Sequence, residues 1–184
     1  MRWISIFLTC ALAFSAPQPG VASDASDLQA KIRSALRDAK SFQITVHQKG
    51  MPAGAMLVAT VVAPNRYRQT VSGLGPPNDD DTIIIGSQVY GIHGKGWGVQ
   101  TWDRQLVDGF ESNAFLPDVV SAAGNTFVMR YPHEFEPKER LNCTYDPQTY
   151  RPQSCQGPTF SLQYARYDDP TLEIPTPVGA KKLD

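Results

Sequence analysis

Histidines, nucleophiles and carboxylates are where chemistry would sit in this chain, and each set is spaced against it. His47, His93 and His133 are scattered, with no His-x-x-x-His or Cys-x-x-Cys spacing to gather ligands, so no metal is expected. Ser87 lies in Gly86-Ser87-Gln88, which lacks the Gly-x-Ser-x-Gly elbow that exposes a hydrolase nucleophile, and no phosphate-cradling loop is present. Asp79, Asp80 and Asp81 are adjacent. Neighbouring carboxylates point in different directions and lack the glycine and spaced oxygens of a calcium loop, so they read as a solvated loop. Glu134, Glu136 and Glu139 invite an acid/base pairing, but Pro132 and Pro137 beside them argue for a charged surface loop. The expectation is no catalytic residue, no cofactor and no enzyme activity.

Charge narrows the partners. With 17 Lys+Arg against 18 Asp+Glu and a net charge of -1, there is no field to draw the chain onto nucleic acid or an anionic membrane. At 184 residues with 41% hydrophobic and 10% aromatic residues, the chain suffices for one core.

Cys143 and Cys155 are the pair that carries covalent information. They are 12 residues apart, centred on Thr149 in the turn-rich Asp146-Pro147-Gln148-Thr149-Tyr150-Arg151-Pro152. A symmetric hairpin puts them directly opposite, where Cβ separations of about 4.5 to 5.5 Å admit a disulfide. That bond acts as a staple and requires an oxidising compartment. The N-terminus supplies one. Arg2 precedes the uncharged run Trp3 to Phe14, and small residues close at Val21-Ala22-Ser23. A run of 12 is shorter than the about 20 residues a spanning helix needs, so residues 1–23 read as a cleaved secretory signal and 24–184 as one domain. Cys10 sits inside the run, away from a lipidation position. No second long apolar run follows, so the mature chain is expected to be periplasmic, or secreted as second choice, with no transmembrane segment.

The elements follow from periodicity. Leu28, Ile32, Ala35, Leu36 and Ala39 recur at helical spacing behind a Ser26-Asp27 cap, predicting a helix over 26–39. Phe42, Ile44 and Val46 alternate with polar residues, and strands are expected over 42–47, 55–63, 66–72, 82–85, 88–93 and 97–101. Phe115, Leu116, Val119, Val120 and Ala123, with Asn113 as cap and Gly124 as stop, predict a second short helix. Strands over 126–131, 140–145, 153–156 and 160–167 and an extended tail complete the chain. Adjacent strands without intervening helices imply an α+β class, with an antiparallel sheet covered on one face by two helices.

In order along the chain, Ser26-Asp27-Leu28, Ser41-Phe42, Gln48-Lys49-Gly50, Ala63-Pro64-Asn65-Arg66-Tyr67-Arg68, Ile85-Gly86-Ser87-Gln88-Val89-Tyr90 and the Pro-containing Leu172–Asp184 resemble the periplasmic lipoprotein carriers of the LolA/LolB superfamily. The arginine those carriers hold ahead of the turn proline is Ala63 here. The resemblance implies a strongly curved, incomplete antiparallel barrel with helices on its concave side and an apolar cavity for acyl chains. Cavity walls are mostly aliphatic and aromatic. The candidates are Phe42, Ile44, Val46, Leu57, Val61, Tyr67, Ile84, Tyr90, Ile92, Trp97, Phe115 and Met129, with Arg66 and Arg68 as a polar rim. The expected partner is a lipid, an acylated protein or another amphiphile. The alternative is an envelope protein-protein interaction or sensor module without a lipid ligand.

Overall fold

The computed structural model describes residues 25–76, 79–93, 95–103, 118–130 and 140–183. The expected signal segment, Phe115, His133 and the Glu134–Glu139 loop lie outside these residues.

One helix opens the fold. In α1 (Ala25–Asp38) the buried residues Leu28, Ile32 and Leu36 fall four apart on one stripe, as an amphipathic helix requires. Lys31 Nζ lies 2.8 Å from the Asp27 carboxylate one turn earlier, and sits 5.1 Å from the centre of the Tyr150 ring. Gln29 Oε1 accepts from the Val119 amide at 2.9 Å.

The strands then come as a meander. They are β1 (Ser41–Gln48), β2 (Met56–Val62), β3 (Arg66–Ser72), β4 (Asp80–Ile85), β5 (Gln88–His93) and β6 (Gly96–Thr101), followed by β7 (Asp118–Ala123), β8 (Thr126–Arg130), β9 (Arg140–Tyr145), β10 (Pro152–Gln156), β11 (Phe160–Ala165) and β12 (Lys181–Lys182). They form one sheet of 12 strands in the order β12-β6-β5-β4-β3-β2-β1-β11-β10-β9-β8-β7. Among the described residues it is not closed, and β7 and β12 are its edges. All pairings are antiparallel except β12 on β6.

The expected second helix is a correction. Val119, Val120 and Ala123 lie in β7, paired to β8 through Gly124-Asn125, with Gly124 at a φ of 60°. A glycine at positive φ ends a helix or turns a hairpin equally well, and the β-branched Val119-Val120 decides for the strand. Asp80 and Asp81, read as loop, belong to β4.

Cross-strand partners share a face, so the register defines an inner, helix-facing side. One row runs Ala122–Phe127–Cys143–Cys155–Leu162–Val46–Leu57. Most of it is buried together with Leu28, Ile32 and Leu36. The Cys143–Cys155 disulfide is formed within it, between direct register partners 12 residues apart. Coverage by the helix is limited by size. A helix of 14 residues is about 21 Å long, whereas 12 strands spread over about 58 Å along the sheet. The contacts of α1 with Val119 and Tyr150 place it over the β7–β10 half.

Candidate functional site

Away from the helix the inner face changes character. The next row reads Ile44–Ala59–Gln69–Thr82–Gly91–Gly98 from β1 to β6. Along it apolar Ile44 and Ala59 give way to polar Gln69 and Thr82, and side chains vanish at the two glycines. Beside it, Phe42–Val61–Tyr67–Ile84–Val89 remains apolar and packs into the core. A cleft of about 320 Å³ results, lined by Gln69, Thr82, Val89, Gly91, Ile92, Gln100, Trp102 and Leu183. Its volume falls at the low end of small-molecule sites, which run about 300–1,000 Å³. A Cβ built on Gly91 would meet nothing within 4 Å, so the cleft floor there is bare backbone.

Two polar contacts arrange the cleft. The buried Tyr67 hydroxyl donates to Gln69 Oε1 at 2.9 Å, which fixes the amide and leaves its NH₂ as the end that can donate. Thr82 Oγ1 donates to Asp80 Oδ2 at 3.3 Å, which orients its hydroxyl. Trp102 enters from beyond the end of β6, its amide donating to Ser87 O at 2.9 Å. Its half-buried ring packs against the core.

The candidate wall residues separate into two groups. Phe42, Ile44, Val46, Leu57, Val61, Tyr67, Ile84 and Met129 are together on the inner side, in or against the buried core. Tyr90, Ile92 and Trp97 alternate to the opposite face, where Ile83 pairs with Tyr90 and Ile92 with Trp97. Among the described candidates the half-exposed Ile92, although it alternates to the opposite face, is the one that also borders the cleft. Arg66 and Arg68 also lie on the outer face, since their neighbours Tyr67 and Gln69 point inward. Arg66 Nη1 donates to Ile174 O at 2.6 Å and fastens the C-terminal tail to β3. Arg68 makes a two-pronged pair with Asp81, at 2.9 and 2.6 Å. Neither arginine is brought to the cleft.

Gln69, Thr82, Val89, Gly91, Gln100, Trp102 and Leu183 were not among the candidate wall residues. The glycines carried a usable signal. A glycine inside a strand pattern marks a place where something approaches the backbone closely, and Gly91 and Gly98 are register partners in the β5–β6 pair.

Electrostatics elsewhere serve the fold. Thr171 bonds through its hydroxyl and its amide, and with Arg166 holds the Asp169 carboxyl down at about 2. The Lys40 amide and the Arg151 guanidinium lower Asp168. Burial pushes the Tyr167 hydroxyl well above the usual phenol range. Among the described residues no group of three or more His, Cys, Asp or Glu could hold a metal ion, and no helix is long and apolar enough to cross a membrane.

No family model matches the chain, and no curated protein matches it. Solved structures do. An uncharacterized conserved protein from Thermus thermophilus superposes with a TM-score of 0.50 at 13% identity, over 86% of this chain and 98% of that one. The two share a fold. The Mycobacterium tuberculosis lipoprotein LppX gives 0.48 at 10% identity, over 80% and 98% of the chains. MucB in complex with MucA(peri) gives 0.38 at 13%, over 77% and 54%.

Proposed function

We propose that this chain is an exported, non-catalytic binding protein that takes the apolar chain of an amphiphile, a lipid or an acylated protein, into the cleft on the inner face of its sheet. The observation that carries this reading is the bare floor at Gly91. At this half-buried position the strand presents no side chain, while Val89, Trp102 and Leu183 wall the opening. Burying an alkyl chain there releases about 0.8 kcal/mol per CH₂ with no covalent step. Gln69, Thr82 and Gln100 supply hydrogen-bonding groups for the polar end.

Export follows from the composition of residues 1–23 and is supported by the disulfide, since such staples persist in oxidising compartments. The mature chain then works in the periplasm. Tryptophan fluorescence tests the binding. In a Trp97→Phe variant of the chain without its signal, Trp102 reports the cleft. Titration with monoacylglycerols of increasing chain length is expected to shift its emission to the blue and to saturate. An emission spectrum that no chain length moves contradicts the reading.

A further inference from the structure

Gly91 and Gly98 have different neighbours. A Cβ on Gly91 would meet nothing, but one on Gly98, its register partner, would fall 2.6 Å from Leu183 Cδ1 and 2.9 Å from Leu183 Cγ. The side-chain-free trough is therefore open over Gly91 and occupied by Leu183 over Gly98. Leu183 also lines the cleft, so a single leucine of the tail is both a wall of the site and the plug of its continuation.

That leucine is lightly held. Lys181 and Lys182 pair with Gly98 and Val99 as a two-residue parallel strand, and the Leu183 amide donates to Val99 O at 2.8 Å. Backbone hydrogen bonds at an exposed edge exchange for water at small net cost. Upstream, Arg66 grips Ile174, and between the two attachments Val178 is 96% exposed and Gly179 has a φ of 73°. Val178-Gly179 thus lies between the anchor on β3 and the residues that seat Leu183.

We propose that Leu183 is a displaceable end wall that sets the length of apolar chain the cleft accepts. The proposal deepens the binding reading above and rests on it. With the tail seated, the trough ends over Gly91. With Leu183 withdrawn, it continues over Gly98 to the β6 edge and takes a longer chain.

The test compares four forms of the chain without its signal: unaltered, Leu183→Ala, Leu183→Trp, and one ending at Ala180. Each is titrated with monoacylglycerols of increasing length, and a thermal melt checks that each is folded. The expected result is a length optimum that moves to longer chains in Leu183→Ala and in the shortened form. The longest ligand should bind about tenfold more tightly there, a gain of about 1.4 kcal/mol, and the optimum should move to shorter chains in Leu183→Trp. Binding in the altered forms alone also supports the proposal, as full closure by the leucine. An identical length profile in all four forms overturns the end wall and leaves the binding reading standing. Shortened and Leu183→Ala forms that are folded yet bind less of every length also overturn it, because Leu183 is then an ordinary ligand contact. No binding by any form overturns both.

Discussion

Gly91→Leu separates the proposed site from the scaffold, because the two respond in opposite directions. The β5 backbone at this position is ordinary strand, and the new Cβ enters space with no atom within 4 Å. Removing a glycine from a strand interior gains about 0.5–1 kcal/mol, so the melting temperature should hold or rise. The isobutyl group, however, occupies the cleft floor and displaces about four ligand carbons. At about 0.8 kcal/mol each, that is about 3 kcal/mol, or about 200-fold in dissociation constant. Affinity for a monoacylglycerol that saturates the unaltered chain is read by Trp102 emission in the Trp97→Phe background, alongside a thermal melt. A folded Gly91→Leu protein that binds with unaltered affinity would refute the placement of the ligand over Gly91.

Further outcomes follow from the same geometry. Replacing Cys143 and Cys155 together by alanine opens a loop of sequence separation 12 and should cost about 3 kcal/mol in urea denaturation, by loop entropy. A loss under about 1 kcal/mol would show that the denatured chain is already held together there. Asp168 and Asp169 have folded-state carboxyl values below the ordinary 3.8, about 2 for Asp169. Their stabilisation is therefore complete above about pH 4 and disappears as the pH falls toward 2. Denaturation midpoints across that window should decline in the unaltered chain and decline less in Asp169→Asn. Arg68→Ala breaks a partly exposed pair with Asp81 and should cost no more than about 1 kcal/mol. It should leave amphiphile binding unchanged, since the guanidinium is on the face away from the cleft, and weakened binding would return Arg68 to the rim.

Much of the scaffold is legible in local pattern. Alternation over Phe42-Ile44-Val46 and the spacing of Leu28, Ile32 and Leu36 report a buried face directly. The turn-rich stretch midway between Cys143 and Cys155 predicts their pairing, which the hairpin keeps across a one-residue register shift between Pro152 and Ser154. The stretch ending in Gly124 misleads for a definite reason: its glycine suits either a helix end or a hairpin, and the β-branched Val119-Val120 with their pairing to β8 select the strand. The site is harder to read, because its position depends on how far the helix extends across the sheet. Apolar strand residues such as Phe42 and Tyr67 carry the strongest sequence signal and become core. Half of the cleft lining is instead made by residues with weak signals, one glycine and three neutral polar side chains. Arg66 and Arg68 differ from Tyr67 and Gln69 by a single step in a period of two, and that step sends them to the opposite face.

The central claim, that the cleft holds the apolar chain of an amphiphile, is tested most directly by native mass spectrometry of the chain purified from its native cells, followed by extraction of whatever it carries. The account predicts a bound species of defined mass that releases an alkyl-chain amphiphile on denaturation, and that is lost in Gly91→Leu. A chain that emerges empty and stays empty when offered monoacylglycerols and acylated peptides would contradict it, and would favour a protein partner on the same sheet.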